Sequence, residues 1–335
     1  MDNLCHTLAG LALGEAGLKR RTALGNVTLV IGANLPDLDA LSYAWGPVTA
    51  LGFRRGWTHG ILAMGVWPLV LAGLMLAWDR SVRLRRRPDA EPARPRALLL
   101  LAALAVWSHP LLDLLNTYGV RLLMPFSGHW SYGDTLFIVD PWVWVALGIG
   151  ILVSRWRWGR RVDGPVTDGP TDRWAARPAR LALAGVLLYI GVMAASATRM
   201  REAVLAGMRA HEPAPTRVMV APMPLNPFRR QVVVELPAAY ATGVLRLPSG
   251  RFDGPWMQIP RQGGLPASRE AAATALGRTY LSWARFPFFA AGDDCAEGMV
   301  CIRDARYFPM SWAEVAVSVG GAISLAPSPP SGTVP

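Results

Sequence analysis

Apolar and polar positions alternate in long blocks over the first 200 residues and in short ones afterwards. Five apolar segments come first: Leu4–Leu18, Ala23–Leu35, Ile61–Trp78, Ala97–Leu115 and Leu136–Ser154. A sixth covers Leu181–Thr198. A helix that crosses a bilayer needs about 20 apolar residues, and the last four segments approach that length. The first two are shorter and Gly-rich, and they read as a helical hairpin that turns at Lys19–Arg21. From Arg199 onward proline becomes frequent and the period drops to two. "RQVVVEL" (Arg230–Leu236) and "TGVLRLP" (Thr242–Pro248) read as strands, as does alternating "AEVAVSVGGAISLAP" (Ala313–Pro327). "SREAAATALGRTYLSWARF" (Ser268–Phe286) reads as one helix capped by Ser268.

The expected fold is therefore mostly α: a polytopic membrane helical bundle over 1–198, a C-terminal soluble α+β domain over 199–326, and a disordered tail over 327–335. Composition agrees. Residues of the AVILMFWYC set make up 52% of the 335, charged ones only 17%, and mean hydropathy is +0.26. That is too apolar for an ordinary soluble enzyme and too mixed for a pure membrane bundle.

The net charge of +11 comes almost entirely from arginine. The arginines of the first half are not spread over a face, as a nucleic-acid binder would have them. They fall in two blocks between apolar runs, Asp79–Arg96 and Arg155–Arg180, each with seven. The positive-inside rule places both blocks, and Lys19–Arg21, in the cytoplasm. The second block contains Pro and Gly and reads as a flexible loop. The connections Pro36–Gly60 and Asn116–Thr135, and everything after Arg199, then lie outside. The first residues lack the basic region of a secretory signal. Cys295 and Cys301 suit a short-loop disulfide in an oxidising compartment, with free thiols as the alternative, and Cys5 reads as an apolar filler.

On this topology four separate segments bring ionisable groups to the outer side: His6, then Asp37 and Asp39 in "NLPDLD", then His59 in "RRGWTHG", then His109 and Asp113 in "SHPLLDLLNTYG". His109 and Asp113 are i, i+4 and share a helix face, with Asn116 one turn further. Each has an ordinary reading alone: interfacial packing for His6, an Asx turn for Asp37 and Asp39, a polar helix end for His109 and Asp113. Ionisable groups that converge at a bundle interior are costly and tend to be functional. Imidazoles with carboxylates suit zinc or another divalent metal, as one ion with an open position or two ions about 3.5–4 Å apart. The expected metal ligands are His6, Asp37, His59, His109 and Asp113. Asp37 or Asp39 is the expected base. Arg54, Arg55 and Asn116 are the expected substrate contacts, with Arg55 also steadying transition-state charge. Arg54 and Arg55 also fit a lipid-headgroup anchor. His129 and His211 read as surface residues.

"MDNLCHTLAG", "GANLPDLDAL", "RRGWTHG", "SHPLLDLLNTYG" and "YGDTLFIVDPW" together resemble the YdjM/YbcI-like family of bacterial inner-membrane proteins, predicted to be membrane-bound metal-dependent hydrolases. The resemblance covers roughly Met1–Thr198, and "PMPLNPFRRQVVVE" resembles a stretch after the membrane part in longer members. It implies His6, Asp37, Asp39, His59, His109 and Asp113 as the polar signature. The order of these residues also looks like the zinc-dependent phospholipase C and P1-nuclease group. Here the chain departs: it shows no later H-x-x-x-E pair, and its first residue is Met, not Trp. One or two zinc ions are then expected, with Asp134 and Asp140 as possible additional ligands or as structural caps of the fifth segment. The expected activity is hydrolysis of a phosphoester in a membrane lipid or lipid-linked substrate at the outer face of the inner membrane, without nucleic acid. The alternative is a non-catalytic anchored binding or assembly protein whose polar cluster is a latch.

Overall fold

The computed structural model describes residues 1–160, 170–208, 215–291, 295–308, 313–320 and 323. The chain forms two compact units, one of Met1–Leu41 with Phe53–Met193, the other of Ser42–Gly52 with Ala194–Pro335. The Met193/Ala194 boundary falls inside a helix.

The first unit is helical. Helix α1 is Asn3–Glu15, with the Asp2 carboxylate accepting from the Cys5 N–H at its start. Helix α2 is Gly25–Asn34, and Pro36 follows its end within a 3₁₀ stretch, Leu35–Trp45. A short α3, Pro47–Phe53, which belongs to the second unit except for Phe53, precedes α4, Ile61–Trp78. A π turn at Asp79–Arg83 and a short α5, Leu84–Arg86, follow. Helix α6 is Pro95–Leu114, α7 is Pro141–Gly159 and α8 is Pro170–Gly207. Helices α6 and α7 begin with proline, whose missing N–H costs nothing there.

Small residues let these helices approach closely. A Cβ on Gly32 of α2 would stand 2.8 Å from the Ala105 Cβ of α6, and one on Gly10 of α1 would stand 2.8 Å from the Leu29 carbonyl oxygen of α2. Leu29, Ala33, Leu101 and Ala105 fill the contact behind them. Cys5, Ala9 and Ala12 of α1 pack with Val143, Leu147 and Ile151 of α7. Cys5 is the buried filler that its apolar setting suggested.

Among the described residues, three helices are long and apolar enough to cross a membrane: Ile61–Arg86, Pro95–Leu114 and Thr171–Gly207. Helix α7 is not among them. Its sequence holds four tryptophans and ends in "RWRWG", so its apolar part is shorter than the segment suggested. Its start also differs: Leu136 precedes the helix, and the Asp140 carboxylate caps it by accepting from the Trp142 and Val143 N–H groups. The flexible loop expected over Arg155–Arg180 is helical at both ends, because its Ala- and Arg-rich flanks are good helix formers and extend α7 and α8; residues 161–169 lie outside the described ones.

The second unit is built on antiparallel sheets. Strands β1 (Arg217–Met223), β2 (Asn226–Glu235), β3 (Ala239–Arg246) and β4 (Arg251–Phe252) pair in order, and β5 (Met257–Pro260) pairs with β3. In chain order α9, Pro266–Ala273, and α10, Ala275–Trp283, follow β5. The second sheet has the order β6 (Pro287–Ala290), β7 (Met299–Asp304), β8 (Glu314–Ser318). The single helix expected over Ser268–Phe286 is broken at Thr274, whose hydroxyl accepts from the Gly277 N–H and caps α10. Ser268 is buried inside α9 and is not its cap. Cys295 and Cys301 form a disulfide. The tail 327–335 lies outside the described residues.

Candidate metal centre

Four elements of the first unit meet at one polar cluster. Helix α1 brings His6, the 3₁₀ stretch after α2 brings Asp37 and Asp39, the turn before α4 brings His59, and the last turns of α6 bring His109 and Asp113. His6, His59, His109 and Asp113 are fully or almost fully buried. Their donor atoms fall into two overlapping groups that could hold a metal ion, His6–His109–Asp113 and Asp37–His59–His109.

The tightest set has Nε2 of His59 and Nε2 of His109 3.1 Å apart. The Asp113 Oδ2 lies 3.3 Å from the first and 3.6 Å from the second. The Asp37 Oδ1 lies 4.0 Å and 3.7 Å from them. Donors 2.0–2.2 Å from one tetrahedral ion stand about 3.3–3.6 Å apart, so the His59, His109 and Asp113 separations are close to that size and Asp37 stands slightly further out. His6 stacks on His109 with ring centroids 3.6 Å apart and points Nε2 at Asp113 Oδ1, 3.4 Å away. Among the described residues, neither ring nitrogen of His6 has a hydrogen-bond partner.

The outer nitrogens of the two facing imidazoles are already committed. His109 Nδ1 lies 2.6 Å from the Ala33 carbonyl oxygen, which can only accept, so Nδ1 carries the proton. The Thr58 hydroxyl donates to Asp39 Oδ2 at 3.1 Å, so its oxygen accepts from His59 Nδ1 at 2.8 Å. Asp39 Oδ2 is also 3.4 Å from that nitrogen. In the neutral rings both Nε2 lone pairs then face each other, among two carboxylates. Such a point needs positive charge, from an extra proton or from a metal ion. Burial, the largest influence on His59, pushes its pKa below the ordinary histidine value and favours the neutral form that binds metals.

The other expected site residues have more specific places. Asp39 is buried and also accepts from the Arg55 N–H at 2.7 Å, so it orients His59 and ties down the turn. Arg55 does not project to solvent for a substrate. Its Nη2 donates to Asp113 Oδ1 at 3.1 Å and to the Met1 carbonyl at 3.3 Å, and its Nη1 donates to Asn116 Oδ1 at 3.2 Å. The guanidinium also lies 4.6 Å above the Tyr118 ring. Asn116 is buried, and besides Arg55 its Oδ1 accepts from the Tyr118 N–H at 2.8 Å. The Arg54 carbonyl accepts from Arg121 Nη2 at 3.0 Å. Gly56 makes room for that arginine: a Cβ there would stand 2.6 Å from Arg121 Nη2.

Asp134 and Asp140 are in neither metal-competent group. Besides capping α7, Asp140 accepts from the Tyr189 hydroxyl at 3.1 Å. His129 is exposed, and His211 lies outside the described residues. Three participants carried no expectation from the sequence. The α-amine of Met1 is buried against Asp113, Thr58 holds His59, and the Ala33 carbonyl holds His109. Thr58 had a signal, its place next to His59; a main-chain carbonyl has none.

Asp37 is the cluster member at the rim. It is only partly buried, and its Oδ2 accepts from the side-chain amide of exposed Asn3 at 2.9 Å.

The chain belongs to the YdjM inner membrane protein family, whose sequence model matches residues 1–201. It is also similar to the uncharacterized protein YfhP of Bacillus subtilis (strain 168), at 24% identity over 154 residues, 44% of each chain. The chain thus spans less than half the length of that relative. No solved structure matches it, and the likeness to zinc-dependent phospholipase C and P1 nuclease rests on residue order alone.

Proposed function

We propose that this member of the YdjM inner membrane protein family is a multi-pass, metal-dependent hydrolase. Its site opens at the outer face of the inner membrane and acts on a phosphoester of a lipid or lipid-linked molecule. The observation that carries this reading is the facing pair of Nε2 atoms, His59 and His109, with both outer nitrogens already bonded. The family and the three long apolar helices support the membrane setting.

His59, His109, Asp113 and Asp37 would hold the ion, with His6 available to a second one beside Asp113. Imidazole and carboxylate donors suit zinc first. A divalent ion supplies Lewis acidity and makes water acidic enough to act as a nucleophile near neutral pH. The chain's own residues do the rest. Asp39 and Thr58 fix the His59 ring, a carboxylate–histidine arrangement that strengthens a metal ligand. Arg55 holds the Asp113 carboxylate in place and offsets its charge. Asp37, at the rim, is the carboxylate that a water or substrate meets first and is the better placed general base. Asp39 is already engaged by the Arg55 N–H and the Thr58 hydroxyl.

The test is to purify the full chain in detergent and measure its bound metal. About one or two ions per chain are expected, and a His59→Ala, His109→Ala double variant should lose them. Unchanged metal content in that variant would rule out the assignment.

One observation favours the latch reading: Asp113 already has two cationic partners, Arg55 and the Met1 amine. A phosphodiester and phospholipid panel separates the readings. Hydrolysis that appears with zinc or manganese and disappears with chelator favours the enzyme, and a folded, metal-free, inert protein favours the latch.

A further inference from the structure

A second feature of the first unit lies at the other end of α6. Arg21, Arg94 and Arg96 line one part of a groove of about 830 Å³, and Leu100, Leu101 and Leu104 line another. Arg96 is about 20 Å along the helix axis from His109, at 1.5 Å per residue, so the groove is separate from the metal cluster.

The elements that supply these arginines are tied together. The Arg94 N–H donates to the Thr22 hydroxyl at 2.7 Å, which joins the start of α6 to the turn that carries Arg21. Neighbouring arginines are already neutralised: Arg20 by Asp172, Arg83 by Asp79 and Arg155 by Glu15. Among the described residues no carboxylate forms an ion pair with Arg21, Arg94 or Arg96. All three are exposed, and beyond them Leu100 is 70% and Leu104 41% exposed. Three uncompensated cations therefore sit above an open leucine wall.

We infer that this groove binds one anionic phospholipid of the cytoplasmic leaflet, its phosphate held by Arg21, Arg94 and Arg96 and an acyl chain laid along Leu100 and Leu104. Charge complementarity selects the headgroup. The wall selects a lipid over a free phosphate, because only a lipid covers exposed leucine while its phosphate meets the arginines. Basic pockets at helix ends on the cytoplasmic side suit such headgroups. The inference rests on the membrane-spanning part of the proposed function and not on the metal.

The full chain, purified in mild detergent, is mixed with phosphatidylglycerol or phosphatidylcholine of equal chain length, and retained lipid is measured by native mass spectrometry. Retention of phosphatidylglycerol should exceed that of phosphatidylcholine at least tenfold. An Arg21→Gln, Arg94→Gln, Arg96→Gln variant should lose that preference while keeping the metal content of the wild type. Single Arg94→Gln and Arg96→Gln variants, each expected to lose severalfold, serve if the triple variant does not fold. Equal retention of the two lipids, an unchanged preference in the variants, or displacement by millimolar inorganic phosphate would overturn the assignment. Loss of metal with intact lipid preference would instead count against the hydrolase reading. A wild-type chain that stays in aqueous solution without detergent would overturn the membrane premise, and this assignment with it.

Discussion

His59 and His109 meet through their Nε2 atoms at 3.1 Å, and each is held from behind by an acceptor at its Nδ1. Neither ring can turn its proton inward without losing that acceptor. Removing a bound ion should therefore destabilise the fold. An ion present at a thousand times its dissociation constant adds about 4 kcal/mol. Chelator is expected to lower the thermal midpoint of the purified protein by several degrees. The His59→Ala, His109→Ala variant should show no response to chelator. A wild-type midpoint that chelator leaves unmoved would contradict the metal reading.

Asp39 and Asp37 differ in role although they are two residues apart. Asp39→Asn keeps the shape of the turn but weakens the support of His59, so metal affinity should fall by about 10–100-fold with unchanged stoichiometry at saturation. Asp37→Asn removes a donor at the rim and should reduce activity more than folding. Competition with a zinc-sensitive dye measures the first effect, and turnover on the phosphoester panel the second.

Arg55 faces Asp113, and both side chains are buried. Arg55→Gln leaves that carboxylate with less compensation, and breaking a buried pair costs about 3–5 kcal/mol. The loss should be largest in the metal-free protein and smaller when an ion offsets the charge. Thermal unfolding with and without zinc reads both. Equal losses in the two states would show that Arg55 and the ion do not share Asp113.

Gly32 allows α2 to approach α6 at the level of Ala105. Gly32→Val puts methyl groups where a single Cβ is already 2.8 Å from Ala105 Cβ. Overpacking of this kind costs about 1–3 kcal/mol. The variant should express less, with a lower thermal midpoint. A compensating Ala105→Gly should recover part of it.

The Cys295–Cys301 bond gives a test of sidedness. If the C-terminal unit lies outside the cytoplasm, both thiols should resist alkylation in intact cells until a reductant is added. Rapid labelling without reductant would place that unit in the reducing compartment.

The elements were legible because their signals are local. The apolar run Ile61–Trp78 is α4 residue for residue, and the i, i+4 spacing of His109 and Asp113 put both on one face of α6. Where the signal was weaker, the boundaries moved. Asp140 and Pro141 start α7 later than the apolar run at Leu136 suggested, and the Thr274 hydroxyl cuts one expected helix into two.

Taken alone, the sequence determined which residue types reach one end of the bundle, because hydropathy and arginine placement order the segments and helical spacing fixes their faces. It did not determine what those residues do to one another. Arg55 and Asn116 looked available to a substrate, yet the fold turns Arg55 inward on Asp113 and Asn116 inward on Arg55. Asp39 stands behind His59, Asp37 stands beside it at the rim, and the Ala33 carbonyl selects the His109 tautomer. These are contacts between atoms far apart along the chain, set by how closely α1, α2 and α6 pack. No periodicity within a segment encodes that distance, so only the tertiary structure decides it.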